Sequence, residues 1–138
     1  MRVIITGGSG FIGTNLVEHH LSINNTVINI DIAPPRNKAH TACWKNVDLM
    51  DASELNRNVR EFSPDVIFHM AARTDLDGFS ASDYSVNTVG LNNLINAIDG
   101  LESLRRVVFA SSRLVCRIGY QPKSFQDYCP TTAYGESK

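Results

Sequence analysis

Glycines are concentrated in one short segment near the N-terminus, Gly7-Gly8-Ser9-Gly10-Phe11-Ile12-Gly13. The segment satisfies two overlapping spacings, GxGxxG and GxxGxxG. Without side chains the backbone can turn tightly and approach a ligand closely, and a helix that begins here directs its N–H groups and the positive end of its dipole at that ligand. The pattern therefore predicts a site for the pyrophosphate of a dinucleotide. The residues expected to hold it are Gly7, Gly10, Phe11, Ile12 and Gly13.

An aspartate follows at the distance that such a turn requires. Asp31 lies 21 residues after Gly10, at the end of the next apolar run. A carboxylate there accepts hydrogen bonds from the adenosine ribose hydroxyls, and its charge repels a 2′-phosphate. NAD is therefore expected in preference to NADP. Arg36 and Lys38, in the loop that follows, leave NADP open because a basic side chain there accommodates the phosphate.

The elements that must position these residues form a βαβ unit. Residues 3–5 and 26–31 are short apolar runs, and the second is rich in β-branched residues, so both are predicted to be buried parallel strands. Between them, apolar residues recur at helical spacing from Phe11 to Leu21. The expected order is therefore strand, glycine turn, helix and strand.

Strands and helices continue to alternate along the chain. Further strands are predicted at residues 42–47, 66–70 and 106–110, and helices over 51–62 and from 82 or 83 to 98. Right-handed crossovers turn this alternation into a doubly wound parallel sheet, an α/β fold of the Rossmann type with about five strands in the order 3-2-1-4-5. Ligands of such a sheet bind at the carboxyl ends of the strands.

Composition restricts the function further. The chain has 138 residues, the size of a single domain, of which 43% are hydrophobic and 20% charged. Its net charge of -1 and its dispersed basic residues favour neither a nucleic-acid partner nor a membrane surface. The first residues run directly into the glycine turn, without the apolar stretch of a signal peptide or membrane span, so a cytoplasmic location is expected.

Cysteine and histidine usage indicates neither a disulfide framework nor a metal site. Cys43, Cys116 and Cys129 are odd in number and lack CxxC spacing, which fits reduced thiols. The four histidines show no HxxxH or HxxE pair that would place two ligands on one helix face. No metal is therefore expected.

The motifs taken together resemble those of a known family. They are Thr6-Gly7-Gly8-Ser9-Gly10-Phe11-Ile12-Gly13, His69-Met70-Ala71-Ala72, Asn87, Phe109-Ala110-Ser111-Ser112 and Tyr134-Gly135-Glu136-Ser137-Lys138. In this order, and over the whole chain, they resemble the extended short-chain dehydrogenase/reductase family, above all its sugar-nucleotide epimerase/dehydratase branch. The resemblance implies further cofactor-binding residues in three segments. These are Asp48 and Leu49 beside the adenine, Ala71, Ala72 and Arg73 along the cofactor, and Asn87, which supports the site from the long helix.

The family's catalytic residues correspond to Ser112, Tyr134 and Lys138. A tyrosine, with a pKa near 10, is a poor base at neutral pH. A lysine four residues later on a helix lies on the same face, where its charge stabilises the tyrosinate. A serine at the end of the fifth strand can hold the substrate oxygen while hydride moves to or from the nicotinamide. Ser111 is the alternative serine, and it is expected instead to satisfy backbone groups.

Two departures from the family concern the second half of the chain. Val115-Cys116-Arg117-Ile118-Gly119-Tyr120 stands where members commonly carry a Tyr-Gly pair, and Lys138 ends a chain of roughly half the family's length. We therefore expect residues 1–138 to be an incomplete NAD(P)-binding Rossmann domain, truncated before the later strands and the C-terminal substrate domain. Family dimers pair through the helix near residues 83–97 and the helix that begins at Tyr134, so a homodimer stays open.

The predicted function of the complete protein is NAD-dependent epimerisation or dehydration of a nucleoside-diphosphate sugar, with the nucleotide sugar as its substrate partner. Catalysis by residues 1–138 alone is not expected. Two alternatives remain. One is an NADP-linked carbonyl reductase of the same family, which would use the same serine, tyrosine and lysine. The other is a non-catalytic dinucleotide-binding module.

Overall fold

A computed structural model describes residues 1–138, and the strands of this chain form one five-stranded sheet. Its strands are β1 (Arg2–Thr6), β2 (Thr26–Ile30), β3 (Trp44–Lys45), β4 (Val66–His69) and β5 (Arg106–Phe109). Every neighbouring pair is parallel, and the order is β3-β2-β1-β4-β5. The predicted α/β fold and its strand order 3-2-1-4-5 are confirmed. Because the order reverses between β1 and β4, the carboxyl ends of these strands flank the crevice in which such sheets bind ligands.

Helices follow the strands in the expected alternation. They are α1 (Phe11–Ser22), α2 (Ala52–Phe62), α3 (Ser85–Ile98) and α4 (Ala133–Glu136). The long helix begins at Ser85, slightly later than predicted, because Ser80 and Asp83 form a capping box on a 3₁₀ turn over Ala81–Tyr84. None of the helices combines the length and apolar composition needed to cross a bilayer.

The core lies in two layers, one on each face of the sheet. Side chains of a strand alternate between faces, and in β1 they do so between Val3 and Ile5 on one side and Ile4 on the other. The first pair packs with Val17 of α1. Ile4 packs in a larger cluster with residues of α2 and α3, among them Leu55. Helices thus pack on both faces of β1, and β1 leads directly into the glycine turn.

The third strand is shorter than the sequence suggested. A strand was predicted over residues 42–47, whereas only Trp44–Lys45 pairs with β2. The preceding residues, Lys38–Cys43, form a 3₁₀ turn that Asn37 caps by accepting a hydrogen bond from the Ala39 N–H. This local capping competes with the strand and leaves a two-residue ladder.

Candidate functional site

The glycine turn joins β1 to α1 with almost no free space inside it. Gly7 has a φ of +71°, and a Cβ there would lie 2.5 Å from the backbone nitrogen of Ala71. A Cβ on Gly13 would lie 2.0 Å from the carbonyl oxygen of Gly7. Gly10 differs, because the nearest atom to its Cβ position is the Gly7 carbonyl oxygen at 3.2 Å. Gly7 and Gly13 are thus needed for the turn itself, while Gly10 leaves the backbone open to a ligand.

Helix α1 begins at this turn without a side-chain cap. Gly10 is its N-cap residue and offers no side chain to the first backbone N–H groups. The side chains of Phe11 and Ile12, the first two helical residues, are 78% and 58% exposed, so this end of the helix is not covered by the rest of the fold. Free N–H groups and the helix dipole here fit the pyrophosphate of a dinucleotide.

Asp31 is fixed at the carboxyl end of β2. One carboxylate oxygen accepts a hydrogen bond from the Ser9 N–H at 3.0 Å, and the other accepts one from the Ala33 N–H at 2.9 Å. Arg36, in the following loop, donates its Nε–H to the carbonyl oxygen of Ser9 at 3.1 Å. A carboxylate and a guanidinium are therefore both anchored to the glycine turn at the same residue, Ser9.

A buried polar pair beneath the turn was not recognised from the sequence. Asn29 of β2 is fully buried and donates its side-chain N–H to the Ser9 hydroxyl at 3.1 Å. The Ser9 hydroxyl in turn donates to the carbonyl oxygen of Ala33 at 2.8 Å. A Cβ on Gly8 would lie 2.2 Å from the Asn29 side-chain oxygen. The signal was an asparagine in an otherwise apolar strand, Thr26–Ile30.

Asp48 and Leu49, which the family resemblance assigned to the adenine, face different surroundings. The Asp48 side chain is exposed, and its carboxylate accepts a hydrogen bond from the Met50 N–H. The Leu49 side chain is buried in the core against α3, and its carbonyl oxygen accepts a hydrogen bond from Asn93. Of the two, Asp48 is the one whose side chain is open to a ligand.

Asn87 connects the segment after β4 to the end of the chain. Its side-chain oxygen accepts from the Arg73 N–H at 2.8 Å, and its side-chain N–H groups donate to the Arg73 carbonyl oxygen at 3.0 Å and to the Ser137 hydroxyl at 2.9 Å. The Arg73 guanidinium itself pairs with Asp75. Half-buried Ala71 and Ala72 precede Arg73 at the same edge of the sheet. Asn87 therefore supports this edge from α3.

The predicted catalytic residues lie in or next to α4 and the 3₁₀ turn packed against it: Tyr134 is in α4, Lys138 is two residues beyond its end, and Ser112 caps the turn. Tyr134 is buried, with its ring 5.8 Å from that of Tyr84 in an edge-on arrangement. Lys138 is half-buried, and burial lowers the pKa of its ammonium group. Ser112 is the N-cap of the turn Arg113–Val115 and accepts a hydrogen bond from the Leu114 N–H at 3.1 Å. A close contact between Gly135 and Leu114 joins these two elements, since a Cβ on Gly135 would overlap the Leu114 carbonyl oxygen.

A cavity of about 90 Å³ lies at the carboxyl ends of β4 and β5. Its lining residues are His69, Ala71, Asn87, Leu91, Phe109, Ala110, Ser111, Ser137 and Lys138. Lys138 and Ser111 thus face the same space, whereas Ser112 and Tyr134 do not line it. No hydrogen bond links the Ser111 hydroxyl to the protein, while Ser112 has the capping contact that was expected of Ser111.

His69 is a buried histidine at the end of β4. Its Nδ1 lies 2.7 Å from the Thr6 hydroxyl, and its ring packs edge-on against Phe109. Burial, and secondarily the charge of Lys138, lowers the pKa of His69 to about 4. The ring is therefore neutral at pH 7. No three His, Cys, Asp or Glu side chains come together in an arrangement that could hold a metal ion.

Comparison with known proteins agrees with this geometry. The family described as "NAD dependent epimerase/dehydratase family" matches residues 3–138. The chain is 27% identical to a UDP-glucose 4-epimerase of Mycoplasma pneumoniae in an alignment 128 positions long that covers 83% of this chain and 36% of that protein. It is 28% identical to a dTDP-glucose 4,6-dehydratase of Neisseria meningitidis in an alignment 109 positions long that covers 70% of this chain and 31% of that protein.

Solved structures show the same likeness. The complex of Thermus thermophilus UDP-glucose 4-epimerase with NAD matches all of this chain with a TM-score of 0.82 and 30% identity, and 47% of that chain is covered. The Bordetella bronchiseptica enzyme WbmG, in complex with NAD and UDP, matches with a TM-score of 0.82 and 28% identity, and 46% of it is covered. The chain thus spans about a third of these curated relatives and just under half of these solved chains. It belongs to the NAD-dependent epimerase/dehydratase family of short-chain dehydrogenases/reductases.

Proposed function

We propose that residues 1–138 are the NAD-binding part of an enzyme that epimerises or dehydrates a nucleoside-diphosphate sugar. The observation that carries this proposal is the glycine turn, whose open face at Gly10 adjoins the uncapped start of α1 and the Asp31 carboxylate. Together these groups offer N–H donors for a pyrophosphate and a carboxylate for ribose hydroxyls. The family match and the relatives' names support the substrate class.

In the proposed complex, the backbone of Gly7, Gly10 and Gly13 and the first N–H groups of α1, at Phe11 and Ile12, hold the pyrophosphate. Asp31 accepts from the adenosine ribose, and Asp48 with the backbone at Leu49 flanks the adenine. Ala71, Ala72 and Arg73 line the next part of the cofactor, supported by Asn87 through its bonds to Arg73. Each oxygen of Asp31 accepts one backbone N–H and keeps a lone pair for a hydroxyl.

We assign the chemical step to α4 and the neighbouring turn. The nicotinamide, when bound, supplies the group that accepts and returns hydride. Lys138 stabilises the tyrosinate form of Tyr134 by its charge, this tyrosinate accepts the proton of the substrate hydroxyl and becomes the neutral phenol, and Ser112 positions the substrate oxygen. The part of the relatives that lies outside this match makes up more than half of their length, and we place the sugar contacts there.

Exposed Val89 and Ile95 on α3 are the proposed surface for a homodimer.

The proposal is tested by titrating NADH into the protein and then offering UDP-glucose and dTDP-glucose as substrates. We expect saturable NADH binding that Tyr134→Phe leaves unchanged, because the cofactor is held mainly at the glycine turn. In a longer protein that also contains the substrate region, Tyr134→Phe should abolish turnover. Absence of NADH binding would overturn the proposal, and turnover by residues 1–138 alone would overturn the placement of the sugar contacts.

A second candidate, NADP in place of NAD, is favoured by one contact. The Arg36 Nε–H donates to the Ser9 carbonyl oxygen, which holds its guanidinium at the turn beside the predicted ribose site. A guanidinium there pairs with a 2′-phosphate. Arg36→Gln should weaken NADPH binding more than NADH binding if NADP is the natural cofactor. Equal effects on both would leave NAD as the cofactor.

A further inference from the structure

Two of the three cysteines lie opposite each other at the base of one loop. The segment between Ser112 and Tyr134 folds back on itself, so that Cys116 and Cys129 form an isolated parallel β-bridge. Two backbone hydrogen bonds define the bridge. The Cys129 N–H donates to the Val115 carbonyl oxygen at 3.0 Å, and the Arg117 N–H donates to the Cys129 carbonyl oxygen at 2.7 Å.

This pairing places the two side chains within reach of each other. Neighbouring strands are about 4.8 Å apart, and residues directly opposite on them project from the same face. Disulfides join residues whose Cα atoms are roughly 4.4–6.8 Å apart. The Cys116 side chain points across the bridge, since its thiol donates to the carbonyl oxygen of Asp127, two residues before Cys129, at 3.7 Å.

We propose that Cys116 and Cys129 are a dithiol that closes to an intramolecular disulfide when the protein meets a small disulfide such as oxidised glutathione. Cys129 is half-buried and is the residue that an oxidant reaches, whereas Cys116 is only 6% exposed. Both cysteines are reduced in this structure. The bond would tie the two ends of the loop together between the proposed catalytic residues Ser112 and Tyr134.

The reaction proceeds by two thiol–disulfide exchanges. The Cys129 thiolate attacks one sulfur of oxidised glutathione, which forms a mixed disulfide and releases one glutathione thiolate. The Cys116 thiolate then attacks the Cys129 sulfur, which forms the protein disulfide and releases the second glutathione. The two protons of the cysteine thiols pass to the two glutathione thiolates. The protein is oxidised by two electrons, and the glutathione disulfide is reduced by two.

Cys43 provides an internal control. It lies at the end of a 3₁₀ turn on a different part of the surface, and its thiol donates to the His40 carbonyl oxygen at 3.1 Å. Burial raises the pKa of the Cys43 thiol, which lowers the fraction of reactive thiolate. Cys43 is therefore expected to stay reduced under conditions that oxidise the pair.

The test is to incubate the native protein at low concentration with oxidised glutathione, to alkylate the remaining thiols in denaturant, and to map them by mass spectrometry of a digest. We expect labelling to fall from three cysteines to one, Cys43, with Cys116 and Cys129 recovered in one linked peptide. Dithiothreitol should restore all three. This readout does not involve the cofactor, so it is independent of the proposed function.

Two variants sharpen the result. Cys43→Ser should retain the linked peptide, while Cys116→Ser should instead accumulate a glutathione adduct on Cys129 because the second exchange is blocked. Three labelled cysteines in the oxidised wild-type protein would overturn the proposal. So would a linkage that involves Cys43 or that joins two molecules. The wild-type measurement alone decides the question, so the proposal can still be refuted if a variant folds poorly.

Discussion

The carboxylate of Asp31 accepts a hydrogen bond from the backbone N–H of Ser9, 3.0 Å away, and so joins the end of β2 to the middle of the glycine turn. This bond relates the two halves of the proposed adenosine and pyrophosphate site. A second bond, from the Ala33 N–H, fixes the other carboxylate oxygen. The orientation of the carboxylate is therefore set by the fold before any ligand arrives, which is the condition for tight and selective recognition.

Asp31→Asn should weaken NADH binding about tenfold and reduce the preference for NADH over NADPH. The amide keeps the shape of the side chain but loses one acceptor oxygen and the charge that repels a 2′-phosphate; a hydrogen bond to a charged group contributes roughly 1.5–3 kcal/mol. Fluorescence titration with both nucleotides measures the change. Asp65→Asn is a matched control, because the Asp65 carboxylate also accepts a hydrogen bond from a backbone N–H, that of Arg2. Asp65 directly precedes β4 and so lies at the opposite end of the strands from the glycine turn. Equal losses in both variants would show that stability, not recognition, is affected.

Gly13→Ala should destabilise the fold by about 1–3 kcal/mol, the usual cost of overpacking, and should abolish NADH binding. The atoms nearest to the added methyl group are backbone atoms, among them the Gly7 carbonyl oxygen and the Gly8 Cα, which cannot move aside as a side chain does. Gly10→Ala is the comparison, since its methyl group would lie 3.2 Å from the nearest atom. We expect it to lose binding with a smaller loss of stability, as measured by urea unfolding. A stable Gly13→Ala protein would contradict the packing argument.

Local patterns predicted the strands and the glycine turn because both depend on neighbours in sequence. Apolar runs and helical spacing gave the alternation, and right-handed crossovers then leave few possible strand orders. Strand β3 was predicted at the right place but too long, because the capped 3₁₀ turn that follows Asn37 extends to Cys43 and takes in the first two residues of the predicted strand. Capping competition of this kind is decided by one side-chain hydrogen bond, which composition does not reveal.

The parts of the site that the sequence did not reveal are contacts between distant residues. Asn87 and Ser137 are 50 positions apart, and their hydrogen bond exists only because α3 and α4 meet. The burial of the Leu49 side chain likewise depends on α3, which packs over it at Gly90. The cavity shared by Ser111 and Lys138 is set by the close approach of α4 to the turn after β5. Tertiary packing, which periodicity does not encode, determines each of these.

Stability should fall as the pH is lowered from 6.5 towards 4, and His69 should account for a large share of the loss. The pKa of His69 is lowered to about 4 in the folded protein, so the fold favours the neutral ring. The free energy of unfolding that this preference contributes is fully present above the unfolded pKa of about 6.5 and is lost as the pH falls towards 4. The shift corresponds to roughly 3 kcal/mol. Urea unfolding at pH 7.5 and pH 4.5 measures it, and His69→Gln should flatten the pH dependence. Burial, and secondarily the charge of His19, also lowers the pKa of His20. A smaller pH dependence of stability, of the same sign, should therefore remain in His69→Gln. A variant with the wild-type slope would contradict the assignment.

Asn87→Ala should loosen α4 and the segment at Arg73 together. The substitution removes three hydrogen bonds and leaves the Arg73 N–H and carbonyl oxygen without their partner, which costs about 1–3 kcal/mol for each buried group that stays unpaired. Hydrogen exchange should therefore accelerate in α4 and after β4. Asn93→Ala is the control on the same helix, since Asn93 makes a single hydrogen bond, to the Leu49 carbonyl oxygen. Asn93→Ala should lower the free energy of unfolding by less than Asn87→Ala and should leave hydrogen exchange in α4 unchanged. Similar exchange profiles for the two variants would mean that Asn87 stabilises α3 alone and does not position Tyr134 and Lys138.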